Sequence, residues 1–172
     1  MKDIKRIEQY LPIIITWIDR TLEQHAHQAK QVIDFNFPRL PGYFSKELLT
    51  NSSVVVLDTT PPIPPIAPEL NELIDLFKGN LAGITYKNTY FVRQEFAFDE
   101  SLHFHELIHV IQWKCLGIEK FIITYGIELI ERGYRISFLE DMAFRHQRRF
   151  IFEGEPYDVE AEVQQELADT IS

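Results

Sequence analysis

Two of the six histidines in this 172-residue chain flank a glutamate, in the run His103-Phe104-His105-Glu106-Leu107-Ile108-His109-Val110. Residues four apart share one face of an α-helix, so His105 and His109 can reach a single ion. Glu106 stands one position round from His105, near such an ion without being an obvious ligand. That offset suits a general base acting on water that a metal activates. Chance is a poor explanation, since six histidines and 17 glutamates yield roughly 0.02 copies of H-E-x-x-H in a chain this long. The surrounding residues Leu102, Phe104, Leu107, Ile108, Val110, Ile111 and Trp113 are apolar nearly all round the helix, which predicts burial. Buried polar side chains need partners. A divalent cation pairs two imidazoles and a carboxylate directly; a hydrogen-bonded network without metal is the structural alternative.

A catalytic zinc typically takes three protein ligands and keeps a fourth position open. Cys115, the single cysteine, is six residues past His109 and on the wrong face, and it is expected to be a buried, inert thiol. Two downstream carboxylates compete for the third place. Glu140 begins a helical face of Glu140, Ala143, Phe144 and Gln147, and the small Ala143 would let that helix approach closely. Glu160 lies among other acids on what reads as a solvated helix. Glu140 is therefore favoured. His103 is about 200° round the helix from His105 and is expected at the rim of the site or behind a ligand.

The elements that must position these residues follow from patterning. Apolar residues spaced three and four apart predict a long amphipathic helix in the first 35 residues, broken by Phe37, Pro38, Pro41 and Gly42. Ser53 to Asp58 reads as a short buried strand. The run Pro61-Pro62-Ile63-Pro64-Pro65-Ile66-Ala67-Pro68 reads as a stiff connector rather than a partner's target, and Glu69 to Phe77 as a short helix. Ile84 to Val92 is a hairpin with Lys87-Asn88 at its tip, Asn88 tolerating positive φ, and its second arm runs to about Phe96. Asp99 caps a helix reaching Leu116, ended by Gly117. Helices over Ile118–Arg132, Phe138–Phe150 and Tyr157–Leu167 complete an α+β order, mostly helical, with a small sheet or hairpin beside the H-E-x-x-H helix. The length fits a single domain over residues 1–172.

Composition narrows the partners. Apolar residues make up 45% and charged residues 25%, as in a folded protein, and the formal charge is -9, which argues against a nucleic-acid or anionic-membrane binder. Seven carboxylates and no Lys or Arg lie between Ile151 and Ser172, just after Arg145, Arg148 and Arg149; salt bridging is the simple reading. The apolar run Leu11–Ile18 is too short to cross a bilayer, and no small-x-small cleavage site follows the basic residues Lys2, Lys5 and Arg6. A cytoplasmic protein is expected.

His105-Glu106-Leu107-Ile108-His109 followed by a glutamate helix resembles the zincin metallopeptidases of the gluzincin group. Further residues extend this: Val110-Ile111-Gln112-Trp113, Leu116-Gly117, Phe121, Tyr125, Gly133-Tyr134 and Leu139-Glu140-x-x-Ala143-Phe144 are similar to a set of small bacterial zincin-like proteins. The similarity runs from about Thr85 to Phe150. Phe138 stands where that pattern often has proline, and Phe144 where it has tyrosine, removing a hydroxyl but no ligand. The resemblance implies zinc held by His105, His109 and Glu140, with Glu106 as general base in the hydrolysis of a peptide or protein substrate. It further suggests Tyr125 or Tyr134 as an oxyanion partner, though core packing is the simpler role for each. It also suggests an edge strand beside the motif helix for extended substrate, which the arm Thr89–Phe96 would supply. Gln112 and Trp113 could line the site. Two other readings compete: a zinc-binding domain that does not cleave, which would have no use for a base at position 106, and a metal-free adaptor using the proline segment or acidic tail.

Overall fold

In a computed structural model, residues 2–64, 81–132 and 137–171 are described. The first helix, α1, spans Lys2–His25 and ends ten residues before the expected stretch does. Its buried Ile7 and Ile18, with Ile14, Trp17 and Leu22 packed beside them, form the apolar stripe. Leu22 is the last member of that stripe, and between it and Lys30 only His25, edge-on to Phe91, and Ala29 still touch the core. The chain turns there, with Gln28 N–H donating to the His25 carbonyl, into the two-residue strand β1, Lys30–Gln31. Tight turns over Val32–Phe35 and Leu40–Gly42 lead to α2, Lys46–Asn51, capped by the Ser45 side chain.

Three further strands follow: β2 (Ser53–Leu57), β3 (Gly83–Tyr86) and β4 (Thr89–Arg93). The sheet order is β1-β2-β4-β3, with β2 parallel to β4 and the other pairs antiparallel. This corrects the expectation for Thr89–Phe96. That arm is interior, flanked by β2 and β3, and it leaves the strand after Arg93 for a tight turn over Gln94–Phe96. The edge is β3. The physical reason is the long-range parallel pairing of Ser53–Leu57 with Thr89–Arg93, which no local pattern announces. A hint existed in the unbroken apolar run Tyr90, Phe91 and Val92, all fully buried as an interior strand requires. At the hairpin tip the positive φ falls on Lys87 (59°), not on Asn88. Asn88 is used otherwise: its side-chain amide donates to the Asn51 carbonyl, and its own carbonyl accepts from Ser53 N–H.

The motif helix α3, Glu100–Leu116, has the expected ends. The Asp99 carboxylate accepts from Ser101 and Leu102 N–H, and Gly117 closes the helix at φ 74°. Then come α4 (Ile118–Arg132), α5 (Phe138–Phe152) and α6 (Val159–Thr170). Helix α3 is the hub. Strand β3 lies along one side, α5 along another in the most extensive helix–helix packing, and α6 completes the wrap. Every residue from His103 to Trp113 is buried. Side chains such as Phe104, Leu107 and Ile108 have no exposure and each contributes about 1.5–3 kcal/mol by burial, so α3 is firmly fixed. The small, fully buried Ala143 of α5 faces into this core, as its position near Glu140 requires.

Between α5 and the acidic C-terminal helix, Arg145 pairs with Asp141 and Glu166, and Arg149 with Glu153 and Glu162. The described part of the proline run, through Pro64, is tied down by the Tyr86 hydroxyl donating to the Pro62 carbonyl. The rest of that run, the expected helix Glu69–Phe77 and Tyr134 lie outside the described residues. Among the described residues no helix is long and apolar enough to cross a membrane.

Candidate metal centre

One helical turn apart on α3, His105 and His109 direct their Nε2 atoms to the same point, 3.1 Å from each other. Ser137 caps α5, its hydroxyl accepting from Glu140 N–H, and so sets Glu140 in the first turn, where the helix dipole favours a carboxylate. Glu140 Oε2 lies 3.5 Å from His105 Nε2, and Oε1 lies 3.4 Å from His109 Nε2. Ligands 2.0–2.1 Å from a tetrahedral zinc stand about 3.3–3.4 Å apart, close to these separations. The buried group His105, His109 and Glu140 could hold a metal ion.

Electrostatics and hydrogen bonding agree with that geometry. Burial pushes Glu140 up, but the neighbouring imidazoles, His109 first and His105 after it, outweigh it and hold the carboxyl well below the usual range. Burial pulls His109 down, yet Glu140 first and Glu106 after it lift the ring to about 9. Two buried atoms are left without a hydrogen-bond partner, His105 Nδ1 and Glu140 Oε2. Each such orphan costs about 1–3 kcal/mol. A cation between the three side chains answers Oε2 directly and replaces the proton that two facing Nε2 atoms otherwise share.

The two imidazoles are supported unequally. Gln112 Nε2 donates to the Leu139 carbonyl at 2.9 Å, which turns its Oε1 toward His109 Nδ1 at 2.8 Å. In the neutral ring the proton therefore sits on Nδ1, and the Nε2 lone pair faces the centre. His105 has no such support; its ring lies 4.7 Å from that of Phe144, the residue standing where the zincin-like pattern has tyrosine. Tyr125 donates to Glu140 Oε1 at 2.7 Å. It thus holds the Glu140 carboxylate while its ring stacks on Phe121.

Glu106 stands outside the triad, as its offset predicts. Its carboxyl is raised by burial, with Glu140 adding to the rise while His105, His109 and the Thr85 hydroxyl oppose it. Thr85 Oγ1 donates to Glu106 Oε2 at 2.6 Å. Gly83 leaves room beside it, since a Cβ there would stand 2.5 Å from Glu106 Oε1.

Other sequence expectations fare differently. Glu160 is not part of the group; its Oε1 accepts from Ser45 N–H at 2.8 Å. His103 is neither at a rim nor behind a ligand. Its Nε2 donates to the Ala97 carbonyl at 3.0 Å, its Nδ1 accepts from the Tyr90 hydroxyl at 2.7 Å, and Phe37 covers the ring at 4.5 Å. Cys115 is exposed rather than buried, because the buried stretch of α3 ends at Trp113. Trp113 is core, stacked on Phe121, with its indole N–H donating to the Thr85 carbonyl at 3.1 Å. Sequence reasoning missed Thr85 and Gly83. The one available signal was a glycine opening a strand two residues before a threonine, a pairing that puts both on the face turned to α3.

No protein-family model matches the chain, and neither a curated protein nor a solved structure shows significant similarity to it.

Proposed function

We propose that the protein is a zinc-dependent peptidase of the zincin-like kind, acting on a peptide or protein substrate. The observation that carries this reading is the convergence of three buried side chains, with contacts of 3.1–3.5 Å between their ligand atoms, and a second acid, Glu106, beside the group but not part of it. His105, His109 and Glu140 would hold the ion. Zinc, when bound, supplies a Lewis acid that polarises a carbonyl and makes water easier to deprotonate. Glu106 takes the proton from the attacking water and returns it to the departing amine, a role suited to a carboxyl whose pKa is raised by burial. Extended substrate has a strand to join at β3. Arg93 N–H donates to the Ala82 carbonyl, so by alternation the main-chain groups of Gly83 and Thr85 point away from β4. The Thr85 carbonyl is already taken by Trp113, which leaves Gly83 as the anchor, its main chain bonded to none of the described residues.

A second reading has its own observation. His105, His109, Glu106 and Glu140 are all 2–6% exposed, which favours a zinc site that serves folding or partner binding without cleavage. The variant Glu106→Gln separates the two. With peptidase function it keeps zinc and loses hydrolysis of denatured casein by about a hundredfold or more. Unchanged hydrolysis in that variant contradicts the assigned base, and a wild type that binds zinc yet cleaves nothing supports the second reading.

A further inference from the structure

We infer that Thr85 is a positioning residue for Glu106, selecting which carboxylate oxygen is free to accept a proton, with Gly83 providing the space; this rests on the peptidase reading above. The Thr85 hydroxyl has one proton to give. It stands 2.6 Å from Glu106 Oε2 and 3.3 Å from the Glu106 carbonyl oxygen, so the carboxylate receives it. The shorter distance is that of an O–H donor to a charged oxygen, the stronger class of hydrogen bond. Thr85 cannot easily turn away. It is buried, its side chain is β-branched, and its own carbonyl is held by the Trp113 indole one helical face along.

The other oxygen is treated differently. Among the described residues no donor reaches Glu106 Oε1. Gly83 backs it so closely that a Cβ would sit 2.5 Å from Oε1 and 3.0 Å from Cδ. Gly83 and Thr85 are two residues apart on β3 and so present the same face to α3. One strand thus engages Oε2 with a donor and leaves Oε1 unengaged, in a slot where a Cβ at position 83 would displace it. A freely rotating glutamate on α3 would offer either oxygen; this one offers Oε1.

The test uses the full chain loaded with cobalt in place of zinc, since the visible bands of tetrahedral cobalt report polarity and hydrogen bonding around the ion. Four variants are compared with wild type: Thr85→Val, which keeps the shape and removes the donor, Thr85→Ser, which restores it, Gly83→Ala, and Glu106→Gln. Thr85→Val should bind one cobalt per chain, with bands displaced in the same direction as those of Glu106→Gln. Its kcat on denatured casein should fall about tenfold with KM little changed, a smaller loss than removing the base itself. Thr85→Ser should restore both spectrum and kcat. Gly83→Ala should reproduce the Thr85→Val signature by displacing Oε1, and it decides the matter if Thr85→Val does not fold. Wild-type spectra and kcat in Thr85→Val or Gly83→Ala overturn the inference, as does a Thr85→Ser as impaired as Thr85→Val. A wild type that binds cobalt and cleaves nothing sinks the peptidase reading, while the spectra still decide Thr85. A wild type that takes up no cobalt overturns both.

Discussion

Two buried histidine environments lie two residues apart on α3 and are built in opposite ways. Around His103 every polar atom is answered: one ring nitrogen donates to the Ala97 carbonyl, the other accepts from Tyr90, and Phe35 and Phe37 enclose the ring. Burial, only partly offset by the Ala97 carbonyl and Asp99, lowers that ring to about 4, so it is neutral in ordinary conditions. Around His105 and His109 the lone pairs converge, a carboxylate oxygen and a ring nitrogen have no hydrogen-bond partner, and one ring is lifted to about 9. A fourth buried histidine, His146, follows the first pattern, bonded to the Tyr157 hydroxyl and to Glu166. Burial of an imidazole therefore does not mark a site. Convergence with unanswered atoms does.

Substitutions should separate the two environments sharply. His109→Ala is expected to weaken metal binding on the order of a thousandfold, because a ligand and its share of the binding free energy are lost. Glu140→Ala should follow closely, while Glu160→Ala, outside the group and bonded to Ser45 N–H, leaves affinity unchanged; metal titration by calorimetry checks all three. His103→Ala should leave one metal per chain and instead cost about 2–4 kcal/mol of stability, through a cavity and the stranded Tyr90 hydroxyl. If His103→Ala removed metal as well, the contrast would be false. Smaller is the effect of Gln112→Leu, which frees His109 Nδ1 from its acceptor and should reduce metal affinity about 10–100-fold.

The pH dependence of the metal-free protein should carry opposite signs at the two places. His103 is lowered in the fold, so the unfolded chain binds more protons, and the stability tied to it falls as pH drops from 6.5 toward 4. His109 is raised, so its contribution is complete below 6.5 and is lost as pH climbs through about 9. Denaturant titrations in the presence of a chelator should show both limbs. His103→Ala should flatten the acidic limb and His109→Ala the alkaline one. Adding zinc should abolish the alkaline loss, since the ion occupies the place of the proton.

Much of the site was legible because its signals are local. The caps Asp99 and Gly117, the four-residue spacing of His105 and His109, and the small Ala143 beside Glu140 are all features of single helices. What could not be read depends on distant partners. The order of β2, β4 and β3 is fixed by parallel pairing across more than thirty residues, and with it went the identity of the edge strand. The cage around His103 comes from Phe35 and Phe37, far back in the chain. The hold of Thr85 on Glu106 needs the strand and helix to be side by side before either residue has a visible purpose. Cys115 shows a local failure of another kind, for a cysteine in an apolar helix reads as buried until the point where that helix emerges is known.

The convergence of His105, His109 and Glu140 is tested most directly by the metal content of the full chain, purified without a nickel column and measured by mass spectrometry alongside His109→Ala. Close to one zinc per wild-type chain, and almost none in the variant, is the expected result. Fewer than about 0.2 metal ions per wild-type chain, or equal content in both proteins, would contradict it.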